Sequence, residues 1–529
     1  MKSFDSKIFI VFILLVINCH AQSNNNFYYN YKTLDINNIH ANINNLGNID
    51  KQNGDRNVRW KKLGENYIGS IIYQQGNTLI GNYNNNRNMA YSGWFNMYAP
   101  GPILNGKPAM IEAPHDSAKY RVYKITRDQR NEIDYNEWPV EFGAPSYING
   151  SPKLFGDQML WTVYNSYDHT VFGRFNNNLP HFADSISPIP IEIQQLTFAK
   201  QKEFEDVVFF EFTIINKGNY VFQDVISSIW TDIDFRDIFH NYAAVDTTLQ
   251  LAYCWGRDDS YGIAPAVGYQ LLYGPKVTSI GDKALFRGKE IENYKNLKMS
   301  SFHGIVDDAQ PGNHGDYSTY FDEIWNISHG LESDGTQIIN PKTNEPTKFY
   351  WSGDPITNNG WIYTDEFSST GGGAGFYMFT GPFDIEPNDT QWIMLALFPA
   401  LGETNLESIT KLRELATKIK NTPYEDLIKP SDGEINYENI IPNDFEVFQN
   451  YPNPFNSGTT IKFNLPNATN INIVIYNSLG EKVKTVVNQS FEAGKHSIKI
   501  SMNEFSSGVY FCQIIAEDFM EIQKMVFLK

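Results

Sequence analysis

Cysteine is nearly absent from this chain: three in 529 residues, at Cys19, Cys254 and Cys512. Cys254 and Cys512 lie far apart, and neither belongs to a CxxC or Cys/His cluster. That excludes a disulfide framework and a structural zinc site of ordinary spacing; the pair reads as two packed thiols. Charge is also sparse, at 19% of residues, so the chain is no disordered polyelectrolyte. Basic charge is the scarcer sign, 42 Lys and Arg against 60 Asp and Glu, for a net −18. An acidic surface repels nucleic acid and anionic membranes and keeps the protein in solution. Catalytic signatures are missing too. There is no HExxH and no GxSxG. The stretch "TGGGAG" at 370–375 lacks the Lys-Ser/Thr ending of a phosphate loop, and the strand-like "FYMF" follows it. Beyond the first 21 residues no apolar run is long enough to span a bilayer.

The chain does have apolar and aromatic residues, 41% and 15%, with abundant Gly, Asn, Tyr and Phe. This composition suits a mainly β protein with many turns and more than one domain. The start, "MKSFDSKIFIVFILLVINCHAQS", puts Lys2 and Lys7 before an apolar run from Ile8 to Ile17 and a small Ala21. It reads as a secretory signal peptide over residues 1–21. Cys19 raises a lipoprotein alternative, but Asn18 suits lipidation poorly. Residues 22–64 are Asn-rich, either a mobile leader or a strand-poor start to the next domain.

Residues 65–420 carry strand signals, and the pattern predicts a β-sandwich-type region, as one or as two sandwiches with a boundary near 200. In "DVVFFEFTIINKGNYVFQDVISSIWTDIDF", Val208, Phe210, Phe212 and Ile214 alternate with Glu211 and Thr213. "NKGN" reads as a turn, with Val221 onward as the pairing strand. One segment is clearly helical, "TNLESITKLRELATKIK", 404–420, with an apolar stripe of Leu406, Ile409, Leu412, Ala416 and Ile419. Thr404 and Glu407 form a capping box ahead of it. Residues 421–444 read as a polar linker with three prolines.

From 445 to 529, short strands separated by Gly480, Gly494 and Gly508 predict a small Ig-like sandwich of about seven strands. It opens on "QNYPNPFN", 449–456. Pro452 and Pro454 fix their own φ and push Tyr451 and Asn453 toward extended backbone. Tyr451 and Phe455 are then placed to pack on the sandwich. Together with "IYNSLGEKV", "AGKH", "SSGVYF" and the terminal "KMVFLK", this segment strongly resembles the type A C-terminal sorting domain of the type IX secretion system. The motif residues are Asn450, Tyr451, Pro452, Asn453, Pro454 and Phe455. The resemblance implies export across the outer membrane to the cell surface or medium. It also implies partners: the type IX machinery, a sortase-like processing enzyme and, where the cargo is anchored, surface lipopolysaccharide.

Upstream, "GDQMLWTVYN", "IWTDIDF", "APAVGYQLLYGP", "SGDPITNNGWI" and "TGPFDIEPNDTQWIMLAL" resemble segments of large secreted proteins that carry the same domain. That family has no assigned chemistry. Three local candidates stand beside it. Asp232, Asp234 and Asp246, with Asp237 among them, are carboxylates at a strand end of the kind that ligate calcium; a solvated acidic loop is the plainer alternative. His303 with the acids of 307–323 is a candidate hydrolase set, or a polar loop. Trp351, Trp361 and Tyr363 are rings that could stack on sugar, or core aromatics. The reading favoured is a non-catalytic surface, adhesive or structural protein. The alternatives are a secreted glycan or peptide hydrolase and a carbohydrate-binding protein.

Overall fold

The computed structural model describes residues 29–49, 58–63, 69–92, 96–129, 133–167, 187–233, 241–258, 262–306, 319–363, 374–432, 445–516 and 519–529. The fold is mainly β and antiparallel. A nine-stranded sheet runs in the order Tyr123–Thr126, Gln158–Asn165, Ile191–Ala199, Val208–Asn216, Thr390–Ala400, Ala266–Tyr273, Leu251–Gly256, Asn241–Asp246, with Ala99–Pro100 pairing onto Gln158–Asn165. A five-stranded sheet, Met299–Val306, Ala374–Ile385, Phe222–Asp232, Gln74–Tyr83, Asn86–Tyr91, faces it. Between them lies a core that includes Leu79, Phe210, Phe212, Ile229, Tyr269, Met378 and Leu395. The large sheet is continuous across residue 200, where Ile191–Ala199 pairs with Val208–Asn216.

The outer face of each sheet is also buried. The helix Asn405–Lys420 lays Ile409, Leu412, Ala416 and Ile419 against the large sheet. Thr404 caps it by accepting the Glu407 N–H at 3.1 Å. The Glu407 carboxylate reaches back to the Glu403 N–H at 2.9 Å, one residue before the expected partner. A second helix, Tyr320–Ser328, covers the small sheet with Tyr320, Ile324 and Ile327, and its start lies in a stretch that had read as polar loop.

Three expectations change. Phe222–Asp232 is not the hairpin partner of Val208–Asn216, which pairs instead with Ile191–Ala199 and Thr390–Ala400. The "NKGN" turn crosses from one sheet to the other. Alternation reports which face a side chain takes, not which strand lies beside it. The Asn-rich segment is neither leader nor strand-poor over its described part: Tyr31–Leu34, Ile39–Asn44 and Val58–Trp60 join Ser70–Ile72 in a four-stranded sheet packed into the main core. Its buried asparagines are satisfied. Asn45 donates to the Tyr120 carbonyl at 2.7 Å and Asn37 to the Val207 carbonyl at 2.9 Å. The supposed linker begins as ordered chain, with a short helix at Tyr424–Ile428. Ser431 then donates its N–H to the buried Asp157 at 3.0 Å.

The C-terminal unit has its own core, which includes Phe455, Ile461, Phe463, Ile473, Cys512, Ile514 and Phe527. Three strands, Glu446–Val447, Gly458–Leu465 and Gly494–Ser501, pack on four, Lys482–Phe491, Thr469–Asn477, Gly508–Ala516 and Phe519–Phe527. That is the small seven-stranded sandwich expected. Gly480 (φ +80°) and Gly494 (φ +145°) occupy turn conformations that favour glycine; Gly508 opens a strand without one. No helix among the described residues is long and apolar enough to cross a membrane.

Candidate functional site

The "NYPNPFN" segment is a clasp between the two sheets of the C-terminal sandwich. The Tyr451–Pro452 and Asn453–Pro454 peptide bonds are both cis. Asn450 donates to the Pro452 carbonyl at 3.1 Å and to the Thr459 hydroxyl at 2.9 Å. Tyr451 exchanges backbone hydrogen bonds with Thr460, both at 2.9 Å, at the start of the first long strand. Asn453 then reaches the last strand. It accepts from the Val526 N–H at 2.7 Å and donates to the Lys524 carbonyl at 3.0 Å. Phe455 continues that pairing: its N–H donates to the Val526 carbonyl at 2.9 Å and its carbonyl accepts from the Leu528 N–H at 2.8 Å. Its ring sits 5.2 Å from the Phe527 ring in the core. Phe455 thus packs on its own sandwich as expected. Tyr451 does not, and lies against the preceding region beside Phe142 and Lys119.

Of the calcium candidates, Asp232 and Asp246 do not converge. Asp232 ends its strand and is half-buried. Asn241, at the near end of the next strand, donates to the Ile233 carbonyl at 3.0 Å. Asp246 lies at the far end of that strand, roughly 17 Å along it at the usual rise per residue. There its carboxylate accepts the Thr248 and Leu249 N–H groups at 3.0 Å and pairs with Arg413 at 3.4 Å. Asp234 and Asp237 lie outside the described residues. Among the described residues no three His, Cys, Asp or Glu side chains form a metal-holding group.

Trp351, Trp361 and Tyr363 do come together, but inside the protein, 3%, 7% and 3% exposed. Trp351 meets Tyr363 at 4.5 Å, and Tyr350 bridges Trp361 at 5.1 Å to His303 at 4.6 Å. Gly304 is what lets Trp351 in, since a Cβ there would lie 1.7 Å from the indole. With these faces covered, the rings work as core, and the sugar platform fails at these three residues. His303 is buried, its Nδ1 without a partner among the described residues, and burial holds its pKa down to about 4. Asp307, Asp308, His314 and Asp316 lie outside the described residues; of the remaining acids in 307–323, Asp322 pairs with Arg87 at the surface and Glu323 accepts from the Thr319 hydroxyl at 2.5 Å.

Other buried acids, none marked by a sequence motif, tie elements together. Glu211 accepts from the Tyr424 hydroxyl at 2.9 Å and Trp392 Nε1 at 3.1 Å, and burial pushes its pKa up. Asp157 accepts the Gln201 N–H at 2.7 Å and faces Arg127 at 3.3 Å. Between the sheets lies a cavity of about 20 Å³, room for one water. A surface groove of about 660 Å³ opens between the hairpin Lys276–Phe286/Lys289–Asn296 and the end of the helix Asn405–Lys420. Lys283, Lys295, Lys298 and Lys420 line it over a floor that includes Leu271 and Tyr273. Sequence reading missed this groove, because its lysines are brought together from separate elements.

Comparison with known proteins agrees with the C-terminal geometry. Residues 449–528 match the secretion system C-terminal sorting domain family. No curated protein matches the sequence. Among solved structures, a polysaccharide lyase is similar at 8% identity and a TM-score of 0.19, over 64% of this chain and 34% of that one. PorZ, a bacterial surface component of the type-IX secretion system of Porphyromonas gingivalis, is similar at 12% identity and a TM-score of 0.12, over 95% of this chain and 58% of that one.

Proposed function

We propose that this chain is a cargo of type IX export, and that the region before residue 445 is a non-catalytic β-sandwich module for surface, adhesive or structural use. The export half rests on one observation: the family match over 449–528 falls on a segment whose signature residues build the clasp. On this reading residues 1–21 direct passage through the inner membrane, and the C-terminal domain engages the export machinery and its processing enzyme. Deleting 445–529 should then leave the protein in the periplasm. A truncated protein that still reached the cell surface would sink the assignment.

The module half is supported by packing. Apolar side chains of both sheets pack together between them, and Glu192, Glu211 and Asp157 spend their oxygens on hydrogen bonds that hold neighbouring elements. Activity on polymeric glycans or peptides in the purified, exported protein would overturn this half alone.

A second reading, carbohydrate binding, is favoured by the groove. Lys295 and Lys298 are exposed there and pair with no carboxylate among the described residues, on a chain of net −18. An anionic glycan is the ligand class that this charge suits. A glycan array carrying uronic-acid and sulfated chains tests it. Retention should fall when Lys295 and Lys298 are both changed to Glu, and equal retention by the two proteins would remove the reading.

A further inference from the structure

We infer that the C-terminal domain docks on the module it follows, and that Tyr451 is the docking residue. Within the signature, Asn450, Asn453 and Phe455 all spend their side chains inside their own domain. Tyr451 spends only its backbone there. Its ring is absent from that domain's core and packs against the core around Tyr120, Phe142 and Trp138.

The seat has two parts. Lys119 places its ammonium 3.3 Å from the centre of the Tyr451 ring, and Phe142 meets the ring edge-on at 6.3 Å and 86°. Lys119 is itself oriented by Asp116 at 3.1 Å. A cation over one face and an aromatic edge beside it are the two contacts that a phenol ring's charge distribution favours. A second contact repeats the chemistry with the roles exchanged. Lys495 of the C-terminal domain lies 3.7 Å from the centre of the Tyr135 ring, and Tyr135 belongs to the preceding region. Burial brings the Lys495 ammonium down to about 8, which agrees with a cation withdrawn from water at a real contact.

Both contacts join a ring to a cation across the two units. Docking therefore occupies the one aromatic side chain that the signature leaves unused in its own fold. Neither contact depends on the export assignment.

Hydrogen exchange on the full chain tests the inference with two variants, Tyr451→Ala and Lys119→Glu. Loss of a partly desolvated cation–ring contact should speed exchange roughly fivefold at the seat. The expected pattern is faster exchange over 116–123 and 142–149 in both variants, and over 449–452 in Lys119→Glu. The strand Gly508–Ala516 should be unchanged. Unaltered exchange at the seat in both variants would overturn the inference. So would faster exchange through Gly508–Ala516 in Tyr451→Ala, because the ring would then belong to its own domain's fold.

Discussion

Asn453 holds Val526. The Val526 N–H donates to the Asn453 side-chain oxygen at 2.7 Å across 73 residues of sequence. With the Lys524 carbonyl accepting from Asn453 Nδ2 at 3.0 Å, one amide side chain fastens the beginning of the C-terminal domain to its last strand. The polar residues Asn450 and Asn453 of the signature are thus structural.

Asn453→Ala removes both bonds and leaves the Val526 N–H unpaired. The C-terminal domain should lose about 1–3 kcal/mol. Urea unfolding of the full chain, followed by exchange in the strand Phe519–Phe527, reads the loss. Stability equal to the parent protein would show that the clasp is not needed for the fold.

Gly304→Ala tests the aromatic group from the sheet side. The added methyl meets Trp351 at 1.7 Å, with Tyr363 and Tyr350 packed behind the indole. Overpacking of this kind costs about 1–3 kcal/mol. Thermal unfolding should fall by several degrees, and tryptophan emission should change as the indole is displaced. An unshifted melting temperature would mean that the ring moves freely, contrary to its buried position.

His303 predicts an acid sensitivity. Its pKa is held down to about 4 in the folded protein by burial, against 6.5 in the open chain. Between those values the unfolded chain binds the proton more readily, so stability is full above about 6.5 and falls as pH drops toward about 4. The loss is of order 3 kcal/mol. In His303→Phe this part of the decline should vanish from unfolding measured across that range. A parallel decline in both proteins would assign the acid sensitivity to other groups.

Thr404→Ala removes the side-chain acceptor for the Glu407 N–H. The helix Asn405–Lys420 should lose about 1 kcal/mol. Thr404→Ser, which keeps the oxygen, should recover most of it. Equal melting temperatures for the alanine and serine variants would show that the Glu407 side chain carries the cap alone.

Much of the local structure was legible in the sequence. The Asn405–Lys420 helix announced its cap and its buried stripe, although Leu406 proved 38% exposed. Six of the seven strands of the C-terminal domain, all but the short Glu446–Val447, followed from alternation and turn residues, and the match over 449–528 agrees with the resemblance. The roles of the candidate sites were not legible. Trp351, Trp361 and Tyr363 lie near one another in both sequence and space, yet spacing alone could not say that Gly304 opens a place for them in the core.

By itself the sequence determined what nearest neighbours along the chain decide: periodicity, caps, turns and the signature that opens the sorting domain. Tertiary structure decided what depends on distant partners. It set Phe222–Asp232 in the opposite sheet, buried the N-terminal asparagines against Tyr120 and Val207, and separated Asp232 from Asp246. It also turned Tyr451 away from its own domain toward Lys119. The reason is the same throughout. A side chain's face is set by local backbone geometry, but its partner is set by which distant surface is packed against that face.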